Sequence, residues 1–181
     1  MVQKGRIWRF SSVLRGVALV LATVYALSTI LVLWVAYLAF TGNTELFFFF
    51  IDQNSTAPLE PWQIILTVLI AFYHISTFIF LCLAANQFLK ASKSAGFFIE
   101  EVIRACRKIG YGLMFYWLGL NLYENYIPGI LTHNFPADEQ LGILWTPIDH
   151  YVILLVGVIL LLIAQAIQEA REIDSDNKQF I

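Results

Sequence analysis

Long uncharged runs alternate with short polar ones along this chain. No charged side chain occurs between Gly16 and Thr44, and residues 17–40 exceed the about 20 needed to cross a ~30 Å hydrocarbon core as a helix. A second run opens at Pro61, a residue suited to a first helical turn, and reaches Leu89 with His74 as its one ionisable group of consequence. A third begins at Ile109, just after Arg104, Arg107 and Lys108, and fades near Leu131; a fourth precedes a charged tail. Backbone polar groups in lipid must be satisfied within helices or closed barrels. The pattern therefore predicts an all-α polytopic membrane protein, residues 1–181 forming one domain of four transmembrane helices in an up-down bundle. The spans fall at about 17–40, 62–89, 109–131 and 150–168, with a polar loop at 90–108 and a tail at 169–181.

Composition agrees. Of all residues 59% are hydrophobic and only 13% charged, with a mean hydropathy of +0.72, too little charge for a water-soluble surface. The first run follows Lys4, Arg6, Arg9 and Arg15. It is longer than a signal-peptide core of ~7–15 residues and lacks an A-x-A-like cleavage site, so it reads as an uncleaved signal-anchor. If both ends and the 90–108 loop share one side, all 11 Lys and Arg residues lie there. The opposite loops, 42–60 and 132–149, hold only acidic charges such as Glu45, Asp52, Asp138 and Asp149. The positive-inside rule then makes both termini cytoplasmic, which for a bacterial chain means the inner membrane. Trp62 and Trp145 would sit in the outer aromatic belt, and the run at residues 47–50 (FFFF) would touch the outer interface. Cys82 and Cys106 lie toward the reducing side, so a structural disulfide is not expected.

Two groups of residues stand out. On the cytoplasmic side, Phe98, Val102 and Cys106 recur at helical spacing with Ile99 and Ile103, while Glu100 and Glu101 precede Arg104, Arg107 and Lys108 as a helix dipole favours. This is an amphipathic helix leading into the third span. It serves either as a headgroup anchor or as a docking face comprising Phe98, Glu101, Arg104, Arg107 and the tail residues Glu172, Asp176, Asn177 and Phe180. The fourth helix should continue into the tail and end near Asp174–Asn177, its acidic side chains opposite in sign to the loop. Within the membrane, Asn121, Glu124 and Asn125 share one face of the third helix at i, i+3, i+4. A carboxylate in the core costs about 2.5–3.5 kcal/mol and needs a partner, for which His74 is the candidate, with Tyr73, Ser76 or water bridging. The group either relays protons or binds a cation, or it glues helices together; alternatively Pro128-Gly129 ends the helix early and leaves Glu124 near outer water.

No catalytic, cofactor or metal site is expected. Paired axial histidines for haem are missing, because His74 is alone at its depth, and no H-E-x-x-H, G-x-S-x-G or Walker pattern occurs. No basic, aromatic-interleaved patch points to direct nucleic-acid contact.

The stretch G-F-F-x-x-E-x-x-x-x-x-R-K-I-G at residues 96–110 and the ending A-x-A-x-x-E-A-R-E-I-x-x-[polar]-N-x-Q-F-I at 164–181 resemble the bacterial four-span membrane proteins grouped as domain of unknown function 2975. The resemblance extends over the chain in length, span number and motif position. It implies a non-enzymatic inner-membrane protein that partners or sequesters a small cytoplasmic helix-turn-helix regulator, since some members are encoded beside one. Family members carry a longer acidic element before the terminal aliphatic residue, where this chain has Asp174, Asp176 and Asn177. The alternative is a small transporter or proton-coupled carrier using Glu124 and His74. Self-association into a homo-oligomer is compatible with either.

Overall fold

The computed structural model describes residues 2–43, 59–95, 100–137, 140–141 and 147–179, with side chains from Ser11 to Ser92 and from Glu100 to Asp176 within those ranges. The described residues are all-helical. They form α1 (Val2–Phe40), α2 (Pro61–Ala95), α3 (Glu100–Asn121), a five-residue π turn (Leu122–Tyr126), α4 (Ile127–Leu131) and α5 (Ile148–Gln179).

Local chemistry explains the ends. α1 stops in a Schellman turn: Asn43 N–H donates to the Leu38 carbonyl and Gly42 N–H to that of Ala39, with Gly42 in the left-handed region at φ 94°. α2 begins at Pro61 as the sequence predicts. Gln63 reaches back three residues to accept the Glu60 N–H at 2.7 Å, a capping-box bond. In α3 the first-turn Glu100 and Glu101 face the positive helix end, and the amphipathic segment runs without a break into the third apolar stretch. α5 continues through the tail as far as Gln179.

Three helical segments among the described residues, Ser11–Phe40, Pro61–Ser92 and Ile148–Asp176, are long and apolar enough to cross a membrane. The α3 segment falls outside that group for a physical reason. Its first turns carry Glu100, Glu101, Arg104, Arg107 and Lys108, which leaves only the 13 uncharged residues from Ile109 to Asn121 before the π turn; it is also the interior helix, with α2 packed on one side and α5 on the other. Gly112 lies against Phe80 and Leu81 of α2, Gly119 against the backbone of His74, and Gly110 against Gly157 of α5. Between helices in lipid there is little hydrophobic driving force, so close approach over small residues supplies the attraction. The outer faces of α1 and α5 remain apolar and uncovered, as at Val20, Leu27, Leu33, Val152, Leu155 and Leu162.

Packing runs from α1 to α2, from α2 to α3, and from α3 to α5, while α1 and α5 share no comparable interface among the described residues. The start of α1 meets the end of α2, with Arg15 donating to Asn86 at 2.9 Å. At the other end Val35, Ala36 and Ala39 pack with Ile64, Ile70, Ile127 and Leu131 in the larger buried cluster. A second cluster joins Ile103 and Cys106 of α3 to Ala164 of α5. Cys82 and Cys106 are buried free thiols. The helices of the described residues thus stand in an open row, and the end of α1 packs on Ile127 and Leu131 beyond the π turn.

Pro128 has no N–H, so the helix preceding it loses a regular hydrogen bond. The chain answers with the π turn and then resumes as α4. Early termination at Pro128-Gly129 therefore does not occur.

Candidate functional site

The expected Glu124–His74 pair is not formed. The Glu124 carboxylate lies 3.2 Å from His150 Nε2 on α5, with Glu124 45% exposed and His150 13% exposed. The reason is rotational. His74 lies against Gly119, Tyr116 and Tyr123, and Glu124 is the residue after Tyr123, turned roughly 100° from it round the helix axis. Glu124 consequently points to α5, whatever its depth. Asn121 and Asn125 do share a buried face: Asn125 Nδ2 donates to Asn121 Oδ1 at 3.2 Å, and Asn121 Nδ2 to the Trp117 carbonyl at 2.8 Å. They hold the chain through the π turn. Replacing Glu124 by glutamine keeps an acceptor for His150, and exposed ion pairs contribute only ~0–1 kcal/mol. The expected result is a thermal unfolding midpoint in mild detergent within a few degrees of wild type; a collapse of the fold would show that the carboxylate charge holds α3 to α5.

His74 has a different environment. Its ring lies between Tyr116 and Tyr123, with centroids at 5.1 and 5.3 Å and interplanar angles of 31° and 23°. Tyr25 of α1 stacks on Phe78 at 3.9 Å, and Phe78 approaches Tyr116 at 5.6 Å. An aromatic wall results, to which α1, α2 and α3 all contribute. Beside it is a cavity of about 320 Å³ between α1, α2 and the π turn with α4. Leu31 and Val35 form one side, Val68 and Ala71 the floor, and Tyr123 and Ile127 the other side. Thr67 and His74 also line it, and Thr67 Oγ1 and His74 Nδ1 are buried atoms without a hydrogen-bond partner. Sequence reasoning passed over Thr67, since a threonine in an apolar run carries no signal by itself. It also passed over His150, which lies in the same turn as the start of α5.

Where α3 begins and α5 ends, the two helices are tied by polar groups. Arg104 pairs with Glu100 at 2.8 Å and Arg171 with the same carboxylate at 3.9 Å. Arg107 donates to both Gln168 and Gln165, and Gln168 in turn to Glu172 at 2.8 Å. Lys108 reaches across to Gln87 of α2 at 3.0 Å. Glu100, Arg104, Arg107, Gln168, Arg171 and Glu172 border a recess of about 460 Å³. Tail and loop therefore touch, Arg171 of the tail meeting Glu100 of the loop. Arg104, Glu172 and Asp176 are exposed on this platform, Arg107 is half-buried, and Glu101 lies on its α2 side by Lys90 and Lys108. The side chains of Phe98, Asn177 and Phe180 lie outside the described residues, as do Trp145 and residues 47–50.

Among the described residues no three His, Cys, Asp or Glu side chains gather where a metal ion could be held. Comparison of the chain with family models, with curated proteins and with solved structures finds no match.

Proposed function

We propose that this chain is a non-enzymatic protein of the bacterial cytoplasmic membrane with four spans in up-down order and both termini in the cytoplasm, and that it holds a small helix-turn-helix regulator at the membrane surface. The observation that supports the docking role is the α3–α5 platform. The 32 residues of α5 extend about 48 Å at 1.5 Å per residue, against a core of ~30 Å, so several turns project beyond the lipid. There α5 stands beside the first turns of α3, locked by Arg107, Arg171 and Glu100. Exposed Arg104, Glu172 and Asp176 offer both signs of charge to a partner. The choice of a transcriptional regulator rests on the resemblance of residues 96–110 and 164–181 to proteins encoded beside one. A carrier built on Glu124 and His74 is not proposed, because the Glu124 carboxylate meets His150 of α5 while the His74 ring of α2 packs on Tyr116 and Tyr123.

The test is co-purification of a helix-turn-helix protein with this chain, the first candidate being one encoded beside it, where such a gene is found. Deleting residues 174–181, or changing Arg104 to glutamate, should release the regulator into the soluble fraction, whereas Glu124→Gln should leave it membrane-bound. A regulator that stays soluble with the intact chain, or a reporter fused after Ile181 that is exported, would overturn the reading.

A further inference from the structure

We propose that the cavity beside His74 binds the ring of a membrane-dissolved quinone, with the carbonyl oxygens on Thr67 and His74 and the prenyl tail leaving toward lipid between α1 and the π turn.

Size comes first. A dry apolar cavity of about 150 Å³ accepts benzene; this one, at about 320 Å³, has room for a substituted one- or two-ring head. Its walls are aliphatic and aromatic, with Tyr25 and Tyr123 among the lining residues, and aromatic side chains are surfaces against which a flat ring packs well. Small-molecule sites are commonly built this way, mostly apolar with a few placed polar groups.

Those polar groups are Thr67 Oγ1 and His74 Nδ1. Neither has a partner, though both are buried, and a buried polar group left unpaired is costly. Turning either side chain toward the cavity breaks no hydrogen bond at that atom. A threonine hydroxyl donates, and a histidine nitrogen donates or accepts according to tautomer, so the pair suits carbonyl oxygens. The two residues are seven apart on α2, a rise of about 10.5 Å. That is roughly the length of a six-membered ring with a carbonyl at each end plus one hydrogen bond of about 2.8 Å on either side.

Depth distinguishes this ligand from a phospholipid. His74 lies 13 residues beyond Pro61 in α2, about 20 Å along the axis in a ~30 Å core. The ester carbonyls of a phospholipid stay at the headgroup boundary, too far out to reach it. A quinone head moves through the hydrocarbon. The open row of helices, with α1 and α5 not packed together, leaves a lateral way in. This inference does not depend on the docking role of the cytoplasmic platform.

The experiment uses the full chain in nanodiscs, titrated with 2-methyl-1,4-naphthoquinone and followed by thermal shift and calorimetry. Saturable binding of one equivalent is expected. Thr67→Val, which keeps volume, should weaken it about 3- to 10-fold, the worth of one hydrogen bond, and His74→Phe should do likewise while retaining the ring stack. Ala71→Phe, which fills the floor, should abolish binding; the Thr67→Val result stands even if that larger change prevents folding. No saturable binding, equal affinity in the wild type and the Thr67→Val variant, or displacement of the quinone by a plain fatty acid at the same concentration would overturn the assignment, the last by showing an acyl-chain groove only.

Discussion

Gly157→Val should lower the stability of the purified protein in mild detergent by about 1–3 kcal/mol, the usual cost of overpacking. A Cβ at Gly157 would stand 2.9 Å from the Gly110 carbonyl oxygen and 3.1 Å from Leu113 Cβ. The first of these is backbone and cannot swing aside, so α5 must move away from α3. In lipid this displacement is hard to offset, because helices associate there through close van der Waals contact. Gly110→Ala should cost less. Its nearest obstacle is the Leu161 side chain at 2.7 Å, which can turn, although the Gly157 carbonyl at 3.0 Å limits the relief. The check is a circular-dichroism melt of both variants beside wild type. Equal midpoints would mean that α3 and α5 do not cross at these glycines. Since the α3–α5 platform depends on the same crossing, Gly157→Val should also weaken the proposed capture of a regulator without altering any exposed residue.

Helix positions were largely legible in the residues, because the signals for them are local. An uncharged run of sufficient length, a proline at a first turn and basic residues at one end need no knowledge of neighbours, and α1, α2 and α5 lie where those signals put them. The amphipathic stretch running into the third segment was equally readable. Its three glycines carried further information: Gly112 and Gly119, seven apart, mark the α2 side, while Gly110 marks the α5 side. Depth alone placed Glu124 opposite His74, and rotation placed it against His150 instead. The π turn was beyond reach of any period count, though Pro128 hinted at irregular hydrogen bonding. The Thr67–His74 cavity needed tertiary structure, since its other walls come from α1 and from beyond the π turn. Single threonines and valines do not announce which helix they face.

Gln63→Leu should loosen the outer end of the molecule by about 1–3 kcal/mol, the penalty for leaving a buried polar group without its partner. Gln63 is 0% exposed, and its amide makes three bonds. It donates to the Ile130 carbonyl at 2.6 Å, accepts the Glu60 N–H at 2.7 Å, and accepts from Asn134 Nδ2 at 3.1 Å. The same side chain therefore caps α2 and clasps α4 to it. Leucine has similar bulk and no polar atoms, so the change removes the bonds and little of the packing. Trp62→Leu, one position earlier, loses an exposed bond to Glu60 and an edge contact with the His133 ring at 5.5 Å, and should cost less than Gln63→Leu. Hydrogen exchange should show faster opening of α4 and the first turns of α2 in Gln63→Leu, with the start of α3 and the end of α5 unchanged. Uniform protection across both ends would refute the clasp. Val35, Ile127 and Leu131 belong both to the buried cluster beneath this clasp and to the cavity wall. Quinone affinity should accordingly fall with the clasp although Gln63 does not line the cavity. A variant that opens α4 yet binds as tightly as wild type would separate the cavity from the element that closes it.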